Sequence, residues 1–232
     1  MSACTLSSAR CLGLRRHDRP SRARHSLAAR VGAVAQVLWS AAVLAAGADS
    51  AVAGTPPEVS TTYRLAQWPA GAPSPTFSLR DPGGQRRTLT DYRGHIVVIF
   101  FGFLRCPDAC PTELYKLAHV LRALGPMQDP PQILFVTLDP QRDAPAQLRD
   151  YVTSFNPGFV GLTGTSHQIQ RAADSFGVQF ARVVQGADYT IDHSTATYIF
   201  DAQGHLRLVG ALSASEDDLI HDLKMLASDP RS

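Results

Sequence analysis

The residues best suited to chemistry lie in FGFLRCPDACP, Phe101 to Pro111, where Cys106 and Cys110 are the only cysteines after residue 53. A thiolate is both a nucleophile and a soft metal ligand, so two thiols in one loop point to disulfide exchange or to capture of a soft ion. Each cysteine precedes a proline, which biases it away from helical geometry. Pro111 suits the first position of a helix, where its missing N–H would be unpaired anyway. The expectation is therefore that Cys110 caps that helix and that the helix dipole draws its thiol toward the thiolate. Three residues separate the cysteines, one more than in a CxxC redox motif and within the range of metal loops. A shared ion and a disulfide both remain open on spacing, and the bland alternative is a pair of small buried hydrophobes.

The elements that must position this loop are legible on either side. HIVVIFFGF is a continuous β-branched and aromatic run, the pattern of a strand buried on both faces. PTELYKLAHVLRAL carries Leu114, Leu117, Ala118, Leu121 and Leu124 at helical spacing before Gly125-Pro126 stops it. QILFVTLDP reads as a second buried strand, APAQLRDYVTSF as a helix with Pro145 at its start, and FVGLTG as a short strand. SHQIQRAADSF, capped by Thr165 or Ser166, is a third helix ending at Gly177, and VQFARVV returns as an extended segment. ATYIFDAQGHLRLVG is a hairpin turning at Ala202-Gln203-Gly204, and EDDLIHDLKMLA a closing helix. Earlier, Thr76 to Leu89 reads as a β-hairpin around Asp81-Pro-Gly-Gly84. This alternation predicts an α/β domain with a central, mostly parallel sheet flanked by helices, and an N-terminal β-hairpin extension. Sites in such sheets form beyond the carboxyl ends of strands, where the cysteine loop and Asp139 would meet.

Other residues compete for a role. His193, in IDHS, is expected on a loop between the Gly186-Ala187-Asp188 turn and the strand ATYIF, and spacing alone does not separate a ligand from an incidental histidine. His119 and His221 fall within helical patterns, where a packed or solvated imidazole is the usual outcome. Asp139, Arg142 and Asp143 in LDPQRDAP suit either metal binding or a strand-to-helix turn; the turn is the preferred reading for Asp143, and Asp139 stays open. P-loop, GxGxxG, GxSxG and HExxH patterns are lacking, which removes the usual signals of phosphate, dinucleotide, serine-hydrolase and zincin chemistry.

Charge divides the chain. Seven arginines and two acids lie before Gly54, whereas 15 basic and 18 acidic residues follow, so the formal charge of +2 belongs to the leader. The remaining domain is mildly acidic without a basic run, and nucleic acid is excluded as a partner class. An Arg- and Ser-rich start followed by the uncharged stretch Val31 to Ala48 makes residues 1–53 a signal peptide or a membrane anchor. Ala51-Val52-Ala53 fits a cleavage site that would release a chain starting at Gly54, and cleavage is the preferred reading. Arg15-Arg16 lies too far from the apolar core for a twin-arginine signal. The expected setting is periplasmic or otherwise extracytoplasmic, with a mitochondrial precursor as the alternative. Cys4 and Cys11 fall in the leader. Residues 54–75, with five prolines, read as an extended linker, and residues 76–232 as one domain.

Three stretches together, FGFLRCPDACPTEL, FVTLDPQRDAP and YTIDHSTATYIFDAQG, resemble the signatures of the Sco/SenC family, and the resemblance runs from about Phe77 to the C-terminal helix. It implies a thioredoxin-like fold with copper bound by Cys106, Cys110 and His193. It also implies a metallochaperone that supplies copper to the dinuclear copper centre of cytochrome c oxidase, or prepares the thiols of that centre, with the oxidase subunit holding it and other copper carriers as partners. A different class, the thiol-disulfide oxidoreductase, uses the same cysteines as catalytic residues; a thiol peroxidase ranks below both. Family members commonly carry Tyr-Thr-His or similar before the first cysteine, where this chain has Phe103-Leu104-Arg105. Arg105 is expected to lower a neighbouring thiol pKa and tilt the loop toward redox chemistry.

Overall fold

In the computed structural model residues 63–229 are described; the leader, and the linker as far as residue 62, lie outside them. Strand β1 (Ala66–Gln67) is followed by the hairpin β2 (Leu79–Arg80) and β3 (Arg86–Arg87). Next come β4 (Val97–Gly102), α1 (Ala109–Leu124), β5 (Gln132–Thr137), α2 (Pro145–Phe155) and β6 (Val160–Leu162). After α3 (Ser166–Phe176) the chain forms β7 (Phe180–Gln185) and β8 (Asp188–His193), then β9 (Ala196–Phe200), β10 (Leu206–Ala211) and α4 (Glu216–Ser228).

Six strands form one sheet in the order β1-β10-β9-β4-β5-β6. Only the β4/β5 and β5/β6 pairs are parallel, whereas β4/β9, β9/β10 and β1/β10 are antiparallel. The sheet is therefore mixed and not mostly parallel. The reason lies in β7, which the alternation assigned to the sheet. It pairs instead with β8 in a separate two-stranded ribbon, so the closing hairpin enters beside β4 without a crossover helix to make it parallel.

Every residue of β4 is buried, as a strand covered on both faces requires. Successive side chains point to opposite faces. Phe101 meets Phe176 of α3 edge-on at 5.1 Å, with Tyr198 and Phe200 around the same ring. On the other face Phe100 lies beside Phe135, which packs against Tyr151 of α2. These phenylalanines are buried, and each contributes on the order of 1.5–3 kcal/mol of apolar burial. The helix caps follow the sequence: Thr165 and Gln168 form a capping box on α3, Gly177 ends it at φ 68°, and Pro145 opens α2.

The linker reading fails for its described part. Ala66 and Gln67 pair with Val209 and Leu208, extending the sheet by an edge strand. Leu65 is buried, and the buried Asp222 carboxylate of α4 accepts hydrogen bonds from the backbone N–H groups of Arg64 and Leu65. A two-residue strand is too short to leave a periodic signature, so nothing in the local pattern announced it. No helix among the described residues is long and apolar enough to cross a membrane.

Candidate metal centre

β4 and β5 run parallel with Gly102 opposite Thr137, so their carboxyl ends open side by side and the cysteine loop leaves from the first of them. α1 begins earlier than the prolines suggested. Asp108 is its N-cap and Ala109 its first residue, which makes Cys110 the second helical residue and Pro111 the third. Cys110 is thus not the cap. None of the first-turn N–H groups has an intrahelical partner, so proline is tolerated throughout that turn and does not mark its first position.

The two thiols consequently exchange roles. The sulfur at the helix end belongs to Cys106, which accepts the N–H of Cys110 at 3.4 Å. The Cys106 thiol pKa is lowered to about 5. The largest cause is the Cys110 thiol donating to its sulfur, assisted by the backbone N–H groups of Cys110 and Asp108 and opposed by partial burial. Cys110, fully buried, is pushed well above the usual thiol range, first by that same hydrogen bond with Cys106 and then by burial. Both thiols are free.

Cys110 occupies this place because Gly102 lacks a side chain. A Cβ at Gly102 would stand 2.7 Å from Cys110 Sγ and 2.8 Å from the Phe135 ring. His193 closes the other side, with Nε2 3.9 Å from Cys110 Sγ and Nδ1 3.0 Å from the carbonyl oxygen of Ser194. A carbonyl only accepts, so in the neutral ring Nδ1 carries the proton and Nε2 turns its lone pair toward the sulfur. Fixing one ring nitrogen so that the other can ligate is the usual support of a metal-binding histidine. His193 ends strand β8 and does not lie on a loop as expected; Phe103 packs edge-on against its ring at 5.9 Å.

Bonds of about 2.0–2.3 Å to a shared ion place two donor atoms roughly 3.5–4 Å apart, which the thiol and imidazole already match. Among the described residues no three His, Cys, Asp or Glu side chains are gathered into a group that could hold a metal ion; Cys106, half-exposed, stands outside the thiol–imidazole pair.

Of the remaining candidates, Asp143 braces the loop and the others have different partners or none of its contacts. Asp143 is buried and accepts from Thr137 Oγ1 at 2.5 Å and from the Leu104 N–H at 3.1 Å, tying the cysteine loop to the end of β5. Burial raises its pKa, against the pull of those two hydrogen bonds. Asp139 is buried against Arg142 and Tyr189, not free to ligate. Arg105 turns outward to Asp188 at 3.1 Å, away from the role of thiol activator. His119 is exposed, and His221 contacts Asp222. Gly102 and Tyr189 were missed; glycine at a strand end facing a buried cysteine was the available signal for the first.

A thioredoxin-like α/β domain with a thiol pair at a strand-to-helix junction and a facing histidine defines the class of protein. The family model for SCO1/SenC matches residues 67–228, and the chain belongs to that family. The SCO2-like protein RP587 of Rickettsia prowazekii is 41% identical over 131 residues, 55% of this chain and 64% of that protein. The chain thus spans just under two thirds of that relative's length. Among solved structures, Bradyrhizobium japonicum ScoI with copper bound is 35% identical at a TM-score of 0.61, covering 67% of this chain and 99% of that one. Yeast Sco1 with copper bound is 34% identical at a TM-score of 0.62, covering 68% and 90%.

Proposed function

We propose that this protein is an extracytoplasmic copper metallochaperone that holds copper(I) through Cys106, Cys110 and His193 and supports assembly of the dinuclear copper centre of cytochrome c oxidase. The observation that carries the reading is the approach of His193 Nε2 to Cys110 Sγ with Nδ1 committed to the Ser194 carbonyl. A thiol pair working only by disulfide exchange needs no imidazole lone pair aimed at it. Soft sulfur donors favour copper(I) over harder ions, and a three-donor site passes its ion on by ligand exchange. Copper in the related ScoI and yeast Sco1 structures supports the choice of metal, and the Arg-rich leader supports the compartment. Titration of the full chain with copper(I) under reductant, against a chelator competitor, is expected to give one ion per chain and clearly weaker retention in His193→Ala. Equal retention in that variant overturns the ligand set.

A second reading has its own support. Cys106 is half-exposed with its pKa lowered to about 5, so it is ionised at neutral pH and suited to attack a partner disulfide. In this reading Cys106 is the attacking thiol and Cys110 resolves the mixed disulfide. Metal-free reduction of an oxidised copper-centre domain, lost in Cys106→Ser, tests it.

A further inference from the structure

His193 is delivered by a hairpin that the main sheet does not hold. β7 and β8 pair only with each other, and a two-stranded hairpin has little stability of its own. Five of the six β7 residues are exposed, Val184 by 79%. Side chains alternate along β8, so Tyr189, Ile191 and His193 share its inner face. Ile191 is buried, His193 meets Cys110, and Tyr189 is gripped from two sides.

The grip comes from the turn after β5 and from β7. Arg142 stacks its guanidinium 3.5 Å from the centre of the Tyr189 ring, and Arg182 approaches it at 4.7 Å. Arg142 Nη1 donates to the Tyr189 carbonyl at 2.7 Å and to Asp188 at 2.8 Å, while its Nε donates to Asp139 at 2.5 Å. The Tyr189 hydroxyl donates to the other Asp139 oxygen at 2.9 Å. Arg142 Nη2 is buried without a partner, a cost that a purely stabilising contact would be expected to avoid.

We infer that Arg142 and Tyr189 are positioning residues that lock β8 in register, so that His193, four residues from the ring, is held within reach of the thiols. A slip of one residue would turn Tyr189, Ile191 and His193 outward together. The inference rests on the copper-ligand reading of His193, although the latch itself is testable without metal.

Copper(I) retention is compared in the full chain, Tyr189→Leu, His193→Ala and the double variant. Tyr189→Leu keeps the Arg142–Asp139 ion pair, so the buried carboxylate stays neutralised. Removal of such a supporting contact typically weakens a metal site about 10-fold or more, and Tyr189→Leu is expected to fall in that range. In the double variant retention should be no weaker than in His193→Ala alone, because the tyrosine acts through the histidine. Additive loss, or no loss in Tyr189→Leu when His193→Ala weakens retention, overturns the latch. Should His193→Ala change nothing, the ligand reading fails, and amide hydrogen exchange of the metal-free chain decides the latch alone. Exchange across Asp188–His193 should accelerate in Tyr189→Leu while β4 stays protected; unchanged exchange overturns it. Arg142→Gln, read out the same way, serves if Tyr189→Leu does not fold.

Discussion

The junction of β4 with α1 and the β7–β8 hairpin bring ligands to the same point by opposite means. The first is backbone: β4 is buried along its whole length and paired on both sides, and the thiols lie within eight residues of its end. The second is side chains: a ribbon with one exposed strand, held through Phe180, Tyr189 and Ile191 and through the ion pairs of Asp188 with Arg142 and Arg105. A strand in the centre of a sheet fixes the loop at its end through many shared hydrogen bonds, whereas a tethered hairpin is only as well placed as its few contacts. The thiol half of the site should therefore resist perturbation until its packing is breached, and the imidazole half should yield to single contacts.

The sharpest break on the rigid side is Gly102→Val. Its Cβ alone would stand 2.7 Å from Cys110 Sγ and 2.8 Å from Phe135, and two more methyls find no space in a filled interior. Overpacking of this kind costs about 1–3 kcal/mol. Chemical denaturation should report that loss, and Cys110 should become accessible to alkylation in the folded state. A stable variant with Cys110 still protected would show that the junction yields as readily as the hairpin.

Somewhat smaller is the effect expected of Asp143→Ala, which leaves the Thr137 hydroxyl and the Leu104 N–H without their acceptor. An unsatisfied buried donor costs roughly 1–3 kcal/mol. Here the loop is released from β5 with both cysteines kept, so loss of stability should come with faster amide exchange at Leu104. Unaltered exchange there would mean that Pro107 and the helix start alone shape the loop.

The same contrast explains what the sequence made legible. β4, β5, α1, α3 and α4 were readable because buried runs and helical periodicity are local patterns, and the three signature stretches brought Cys106, Cys110 and His193 forward together. Which sulfur the helix end favours was not readable. Proline restricts its own φ and the preceding residue, but it says nothing of whether the turn begins at Asp108 or at Cys110. The ribbon of β7 and β8 was also hidden, since VQFARVV is as extended outside the sheet as within it. Tyr189 and Arg142 lie far apart in the chain, and an isolated tyrosine carries no periodic signal of the ring that Arg142 covers.

A pH titration sharpens the comparison within the thiol pair itself. Alkylation of the metal-free chain should modify Cys106 with a midpoint near pH 5, where its lowered pKa lies, and leave Cys110 untouched far into alkaline solution. The stability consequences have opposite signs. The Cys106 contribution, from a pKa depressed below the ordinary 9.0, is fully present above that value and is lost as pH falls through about 5. Cys110 has a raised pKa, so its contribution is fully present below the ordinary range and is lost as pH rises beyond it. The two thiol contributions together should thus be greatest near the ordinary thiol value of 9.0 and decline on either side of it. With Cys106 already ionised at neutral pH, the thiols should release one proton per copper ion bound and not two. Two thiol protons would assign Cys106 an ordinary pKa and undo the exchange of roles.

The smallest effect is expected at Arg105, and its smallness is informative. Its position beside Cys106 in the chain suggests a cation that stabilises the thiolate, in which case Arg105→Gln would raise the alkylation midpoint of Cys106. The guanidinium instead points outward to Asp188 at 3.1 Å, with both side chains more than half exposed, and exposed pairs of this kind are largely screened by solvent and salt. Asp188 also keeps its contact with Arg142 when Arg105 is removed, so the hairpin retains its main hold. Arg105→Gln should leave the Cys106 midpoint unchanged and alter copper retention only slightly, with any difference fading as salt is added. A raised midpoint that persists in high salt would place the cation on the sulfur after all. Loss of retention as large as that in Tyr189→Leu would instead make the surface pair, and not the stacked arginine, the tie between the hairpin and the cysteine loop.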